Sequence, residues 1–558
     1  MPNFQYRLRT VLTTLILLLL LFFPSWWGAS TSAFFKSDTG LRFWQAQELV
    51  TNNWQTFAIN YPAYHLDPNL EFIPLYCAYA IIDNEVYFAI TPFLPLLASF
   101  FYAWFGTIGL TIVPVAAGLL TAVGTYKLAI LAKIPRPHLI LWGSILATPL
   151  FFYTIQLWDH SLAMACTVWA LYGIAIGLRQ QKWLPLAGAG LLVAFSVAQR
   201  PEMYVMAIAI GMGTLVIAWP RLQPALALTA GGIVGLLPLF WLQNQWIGHP
   251  AGIMMTHLSD YGRPETFVYD CVGPARSIQA GRFLLYIEGR DPWSFIAAIL
   301  AIAGLFLIIF WLRLPSLQQN NKVAIGALIL ALCGYLIWGA MLWQDALAGL
   351  VTTFPLLALS LAYVDRENDA NLQRPVYRLI LWTAFIFLVG MLLIWPAYGG
   401  NHFGARYLLP VYPLLLLLAF YNYYAYAANT SLRKMVQLIG AVLLITTILL
   451  QLLGLRLFWQ QTAENQAIQA ALANLPAEVI LTNHPFLPTM LRGLDNQFFM
   501  YIDDESDFDT LIPRFAEQDI SHFAFVSIAA LPLDVPERVG EIRVRQLSPV
   551  LYKLELPP

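Results

Sequence analysis

The sequence predicts a polytopic α-helical membrane protein of about thirteen spans. A large first extracytoplasmic loop and a small extracytoplasmic α/β domain at the C-terminal end complete the expected layout. Three observations point to this class. The 558 residues are 59% hydrophobic and 11% charged, against roughly a quarter charged in a soluble domain. Apolar runs of about 18 to 24 residues recur along the chain, each long enough to cross the hydrocarbon core. Lys and Arg gather in alternate loops, the bias that sets membrane orientation. The net charge of −1 offers no basic surface for a nucleic-acid partner. Many of the 19 Trp and 26 Tyr sit near the ends of apolar runs, where amphipathic rings favour the interface.

The chain opens MPNFQYRLRTVLTTLILLLLLFFPSWW, with Arg7 and Arg9 ahead of a first span at about 10–28. A secretory signal has a similar layout, and TSA at 31–33 would serve as a cleavage site. The run is long, however, and the later loops need an inside start for their charges to fall in order. A retained span is therefore expected. A polar, aromatic stretch follows to about residue 85. It begins FFKSDTGLRFWQAQELV (34–50), where a lone acid, Asp38, leads into an amphipathic helix.

The next segment, VYFAITPFLPLLASFFYAWFG (86–106), presents a choice. Counted as a span, it would place Lys133 and Arg136 outside and invert every later loop. Its two prolines and short apolar core suit an interfacial or re-entrant helix. The remaining spans then fall at roughly 109–131, 139–156, 161–178, 184–199, 203–219, 225–243, 293–312, 323–342, 346–363, 378–395, 407–426 and 436–457. Inside loops hold Lys133 and Arg136; Arg179 and Lys182; Arg221; Arg313 and Lys322; Arg366, Arg374 and Arg378; Arg433 and Lys434. This places the N-terminus inside and the C-terminus outside. The outer regions are about 30–108, about 244–292 and everything after about 458.

Residues 1–457 are thus expected to form the transmembrane unit, and 458–558 the outer α/β domain. In the latter, EVILTNHP and HFAFVSI read as strands, DFDTLIPRFAEQ as a helix, and EIRVRQL with VLYKLEL as a closing hairpin. No glycine-rich phosphate loop or metal spacing is present there, which leaves a structural or lid role. The four cysteines, Cys77, Cys166, Cys271 and Cys333, show no paired spacing, so no zinc or redox motif follows. Cys166 and Cys333 lie in apolar runs and read as packing residues. Cys77 and Cys271 both fall outside, where a disulfide is an open alternative.

Ionisable groups at span ends are costly unless they meet water, a partner or a substrate. In this topology several collect at the outer face: Asp38; Asp159 and His160 in WDHS; Arg200 and Glu202 in QRPE; Asp345 in WQD; and His402 and Arg406 in GGNHFGARYLLP. Convergence on one outward cavity would link them. A lipid-linked sugar phosphate needs cations at its phosphate, and Arg406 and Arg200 offer the matching hydrogen-bond fork. An incoming hydroxyl needs a base, a role suited to Asp38. Asp159 and His160 would orient the acceptor or hold a divalent cation, although two ligands do not define a metal site. Plainer readings stand beside these. Asp38 would cap the 39–49 helix, Asp159 and His160 would mark a wet turn, and Arg200 would pair with Glu202. His402 would pack at the interface, Arg406 would anchor at the headgroups, Asp345 would be a loop acid, and Gly399–Gly400 only a turn.

In this order, four stretches resemble the polytopic GT-C glycosyltransferases: KSDTGLRFWQAQELV, TPFLPLLASFFYAWFG, QLWDHSLA and GGNHFGARYLLPVYP. The chain looks most like the bacterial branch related to protein O-mannosyltransferases and lipid A aminoarabinose transferases. The order and sidedness extend over about 450 residues. The resemblance implies an inverting transfer of a sugar from a polyprenyl-phosphate donor at the outer face of a bacterial inner membrane. It implies a lipid, glycan or protein acceptor, membrane lipids as surroundings, and no cofactor beyond a divalent cation. The first-loop acid as base falls on Asp38, the assisting acidic turn on Asp159, and the late donor-site motif on Arg406. Two departures stand out. Ser37 precedes a single acid where some relatives have two, and Thr91 stands where a basic residue often precedes the prolines.

Other functions fit parts of the pattern. A lipid-linked glycan flippase or transporter would also have many spans with polar groups, but no internal repeat is visible, and the polar groups sit at outer span ends. An outer-face polysaccharide polymerase or ligase would use the same donors. A non-catalytic scaffold would tolerate replacement of Asp38.

Overall fold

The computed structural model describes residues 2–75, 78–248, 250, 252, 281, 283–285, 292–341, 349–363, 373–395, 403–484, 486–494, 496–527 and 533–555. Among them, nine helical stretches are long and apolar enough to cross a membrane, from Val11–Ser30 to Arg433–Ala473. The shorter apolar helices Trp183–Gln199 and Met203–Ala218 accompany these. The protein is a polytopic helical membrane protein.

The helices that position the site are, in chain order, α1 (Pro2–Ser30), α2 (Ser37–Thr51), α3 (Phe93–Phe105), α4 (Ile112–Leu131), α5 (His138–Leu146), α6 (Leu150–Thr154), α7 (His160–Gln180), α8 (Trp183–Gln199), α9 (Met203–Ala218) and α10 (Gln223–Ile247). After them come α11 (Pro292–Arg313), α12 (Asn321–Met341), α13 (Gln373–Ile394), α14 (Tyr412–Ala427) and α15 (Arg433–Ala473). The expected 139–156 span is not one helix. It breaks between α5 and α6 at Pro149, which has no backbone N–H to continue the ladder. The described part of 346–363 is likewise split, into Leu350–Thr353 and Leu357–Leu361, with Pro355 between.

The 86–106 segment divides into a strand and a short helix. α3 has 13 residues, about 20 Å at 1.5 Å per residue, and the hydrocarbon core is about 30 Å thick. Gly106, at φ 60° and ψ −147°, ends it in a conformation that glycine alone adopts readily. Although Phe93–Leu131 is apolar throughout, the chain turns at this point before α4. Upstream, β1 (Tyr79–Ile82) and β2 (Glu85–Phe88) form a hairpin that the sequence reading does not anticipate. Asp83 and Asn84 make its two-residue turn with φ of 52° and 65°.

The last transmembrane helix does not end near 457. α15 runs unbroken for 41 residues, so the expected boundary at 457/458 lies inside one helix. Beyond it, a sheet contains β3 (Val479–Thr482), β4 (Phe498–Tyr501), β5 (His522–Val526), β6 (Arg538–Val539), β7 (Ile542–Gln546) and β8 (Leu551–Glu555). The strand order is β4-β3-β5-β8-β7-β6, parallel across β4-β3-β5 and antiparallel after it. The anticipated strands, hairpin and helix α16 (Asp507–Glu517) are all present, and β4 and β6 are additional.

This C-terminal sheet does not stand apart from the long loop after α1. Leu41, Phe72 and Ile73 share one apolar core with Val479, Phe508, Leu511 and Phe523. The Tyr501 N–H donates to the Phe72 carbonyl at 2.7 Å, and the Phe34 N–H to the Met490 carbonyl at 2.8 Å. The Arg492 guanidinium donates to the Ala29 and Thr31 carbonyls and lies over the rings of Phe34 and Phe43. The helix bearing Asp38 is therefore held from above by residues about 450 positions away.

Gly40 marks the tightest point of that contact. A Cβ there would stand 1.5 Å from the Thr489 carbonyl oxygen. Gly40→Ala is expected to lower stability by about 1–3 kcal/mol, the range for overpacking, in a thermal melt of the solubilised protein. An unchanged melt would mean that α2 and the Thr489 segment separate without cost.

Candidate active site

Asp38 is not the cap of its helix. Lys36 occupies the N-cap with φ −146° and ψ 161°, and Asp38 lies in the first turn. There it accepts a hydrogen bond from Arg406 Nη1, linking the end of the first span to the start of α14's apolar segment. One turn along α2, Arg42 Nη1 donates to the Asp38 carbonyl at 2.7 Å. Arg42 Nη2 donates to Asp159 Oδ2 at 2.8 Å.

Asp159 sits in the turn before α7 and is the centre of the network. Arg200 Nη1 donates to its Oδ1 at 2.9 Å, and the Thr91 hydroxyl donates to its Oδ2 at 3.1 Å. Arg200 Nε also donates to Glu202 Oε1 at 2.7 Å. The Arg200–Glu202 pair expected from sequence therefore exists, but it extends to Asp159. Three arginines and three carboxylates form one continuous chain of contacts whose formal charges cancel. His160 lies 3.4 Å from Asp159 and packs against the rings of Tyr153 and Trp158.

Two layers can be distinguished by exposure. The side chains of Asp38 and Arg406 are 25% and 15% exposed. Arg42, Asp159, Arg200 and Glu202 are between 1% and 4% exposed. Only the first pair can meet a substrate without rearrangement, and the other four groups form its buried support. Tyr407 joins the layers: the Arg406 and Arg200 guanidiniums lie over its ring at 5.0 and 5.5 Å, and its hydroxyl accepts from Arg406 Nη2 at 3.2 Å.

Several buried polar atoms here have no hydrogen-bond partner among the described residues. They include Arg200 Nη2, Arg42 Nε, the Tyr153 hydroxyl, Glu202 Oε2 and both amide atoms of Gln199. Orphaned buried groups are uncommon in folded proteins and call for an explanation. The divalent-cation reading of Asp159 and His160 fits poorly. Both Asp159 oxygens accept from guanidiniums, whose positive charge opposes a cation at the same carboxylate. Among the described residues no group of three or more His, Cys, Asp or Glu could hold a metal.

His402, Asp345 and the Gly399–Gly400 pair lie outside the described residues, as do Cys77, Cys271 and most of the 244–292 loop. Cys166 is buried and Cys333 exposed, both as free thiols. The sequence reading missed Arg42, Thr91, Tyr153 and Tyr407 as members of the site. Arg42 carried a usable signal, since it stands four residues after Asp38 on a helix and so shares its face.

No family model matches the chain, and no curated protein sequence matches it. Among solved structures it is similar to an Archaeoglobus fulgidus oligosaccharyltransferase crystallised with zinc and sulfate. That similarity has 12% identity and a TM-score of 0.49, over 91% of this chain and 67% of the other. It is similar to the same organism's oligosaccharyltransferase AglB in complex with an inhibitory peptide and a dolichol-phosphate, at 11% identity and TM-score 0.46, over 92% and 69%. It is similar to ArnT from Cupriavidus metallidurans bound to undecaprenyl phosphate, at 15% identity and TM-score 0.40, over 97% of both chains. Values this low leave the functional reading to the site's own residues.

The support above α2 also contains a titrating group. Burial pushes the His484 imidazole below its ordinary value near 6.5, and the Lys36 ammonium pushes it the same way. His484 Nδ1 accepts the Phe486 N–H at 3.3 Å, as a neutral ring can. With the folded pKa below the unfolded one, the unfolded chain takes up the proton first. The stability present above about pH 6.5 is then lost as pH falls through that value. The melting temperature is expected to drop more in the wild type than in His484→Gln on going from about pH 7.5 to about 5.5. Equal drops would assign the loss to other groups.

Proposed function

We propose that this protein is a membrane glycosyltransferase that moves a sugar from a polyprenyl-phosphate donor to an acceptor hydroxyl, with inversion, at the face bearing Asp38. The observation that carries the reading is the contact between Asp38 and Arg406, residues 368 positions apart, on top of a buried and charge-balanced network. An isolated interfacial anchor would have no need of such a support. The motif resemblance described above agrees with this assignment.

In the proposed reaction, Arg406 leaves Asp38 for the donor phosphate, so donor binding itself releases the carboxylate. The buried Arg200 guanidinium adds positive charge beneath the phosphate without touching it. Asp38 accepts the proton of the acceptor hydroxyl as its oxygen bonds to the anomeric carbon. The bond from that carbon to the phosphate oxygen breaks on the opposite side, and both its electrons go to the phosphate. Charge growing on the phosphate is stabilised by guanidiniums already in place. No step is assigned to a divalent cation. The domain division, with the C-terminal sheet closing over α2, and the bacterial inner membrane with an outward-facing site belong to the same proposal.

The test is release of polyprenyl phosphate by the purified protein in lipid, across a panel of polyprenyl-phosphate sugars with alcohol and glycan acceptors. Turnover with at least one donor is expected. A folded protein inert toward every donor, yet moving lipid-linked glycans between leaflets, would replace this reading with the transporter one.

A further inference from the structure

The opposite ends of the helices enclose a second charged feature. A cavity of about 990 Å³ opens where the ends of α4, α7 and α9 meet the starts of α8, α10 and α13. Its volume is at the upper end of the roughly 300–1,000 Å³ typical of small-molecule sites. Its walls are more apolar than polar, and Lys133, Arg179, Lys182 and Arg221 line it. Among the described residues no carboxylate lines it, and none of these four side chains makes a hydrogen bond or ion pair. Trp183 and Trp219, both exposed, also line it, as expected for rings at the headgroup level of a membrane.

Since α7 begins beside Asp159 and ends here, this cavity and the Asp38 site lie at opposite membrane faces. Cations spread over a loop surface would serve orientation alone. Four around one mainly apolar recess match a ligand that has an anionic head and an apolar body. We propose that this cavity binds the phosphodiester headgroup of an anionic membrane lipid, with its chains entering between the helix ends. Basic recesses between helices at one membrane face favour anionic headgroups on general electrostatic grounds, and long cationic side chains reach the headgroup while their stems stay in apolar surroundings. The proposal is independent of the glycosyltransferase reading.

The test is native mass spectrometry of the full chain in detergent with equal phosphatidylglycerol and phosphatidylcholine. The wild type is expected to retain phosphatidylglycerol preferentially. Arg179→Gln/Arg221→Gln is expected to lower that retention about tenfold, and Arg179→Lys/Arg221→Lys to restore it. Arg313→Gln/Lys322→Gln, which removes charge from a loop outside the cavity, is expected to leave it unchanged. Equal retention of the two lipids, or an equal loss in both Gln double variants, would overturn the proposal. Displacement of the lipid by inorganic phosphate at the same concentration would assign the site to free phosphate instead. Size-exclusion elution of each variant reports folding, and the Lys double variant keeps the test decisive if the Gln variant does not fold.

Discussion

Asp38→Asn is expected to reduce turnover by about 10²–10⁴-fold, the range for loss of a general base, in a protein that still folds. Asp38 is the one carboxylate of the network with appreciable exposure, at 25%, against 1% for Asp159 and Glu202. The amide keeps the shape and accepts from Arg406 through its oxygen, but it cannot take a proton at neutral pH. The donor phosphate still meets Arg406, so the loss should fall on kcat and spare KM for the donor. Arg406→Gln is expected to show a different split, with donor KM rising as well, because that side chain holds the phosphate in both ground and transition states. The measurement is initial rate of polyprenyl phosphate release at varied donor concentration, beside a thermal melt. Wild-type turnover in a folded Asp38→Asn would leave Asp38 a structural partner of Arg406 and remove it from the chemistry.

The sequence made one half of this site legible. A carboxylate or guanidinium at the end of an apolar run is conspicuous, because so few charges occur in the chain, and Asp38, Asp159, Arg200, Glu202 and Arg406 all stood out for that reason. Alternation of the loops placed them at one face, and their direct contacts agree. What the sequence concealed was their order of connection. Arg42 read as the polar side of an amphipathic helix, yet it is buried and bridges the backbone at Asp38 to the Asp159 carboxylate. Thr91 read as a departure from a motif, and its hydroxyl donates to Asp159. The fold divides similarly. Long apolar helices follow from composition, whereas the break at Pro149 comes from a missing backbone N–H that a hydropathy average does not register, and α15 continues past 457 beyond the end of its apolar stretch. The attachment of the C-terminal sheet to α2 turns on Gly40, which in the sequence is one glycine among 35.

Asp159→Asn is expected to be the most destabilising single change in the site, by about 3–5 kcal/mol, the cost of breaking a buried ion pair from one side. The wild-type network has three guanidiniums and three carboxylates, and Asp159 contacts two of the guanidiniums within 2.9 Å. Neutralising it leaves Arg42 and Arg200 buried with a surplus positive charge that Glu202 and Asp38 cannot both offset. Arg200 keeps Glu202 at 2.7 Å, so most of the penalty should rest on Arg42, which keeps a hydrogen bond to the Asp38 backbone carbonyl and only a long 3.9 Å approach to the Asp38 carboxylate. Removing that charge as well should therefore recover stability: Asp159→Asn/Arg42→Gln is expected to melt above Asp159→Asn alone, a coupling that a double-mutant cycle measures directly. An Asp159→Asn protein that melts with the wild type would show that water already screens this network. A double variant less stable than either single one would show that Arg42 acts by packing and not by charge. With the coupling in the expected direction, the buried layer is a charge-balanced frame for the exposed Asp38–Arg406 pair, and loss of activity at Asp159 would follow from loss of that frame.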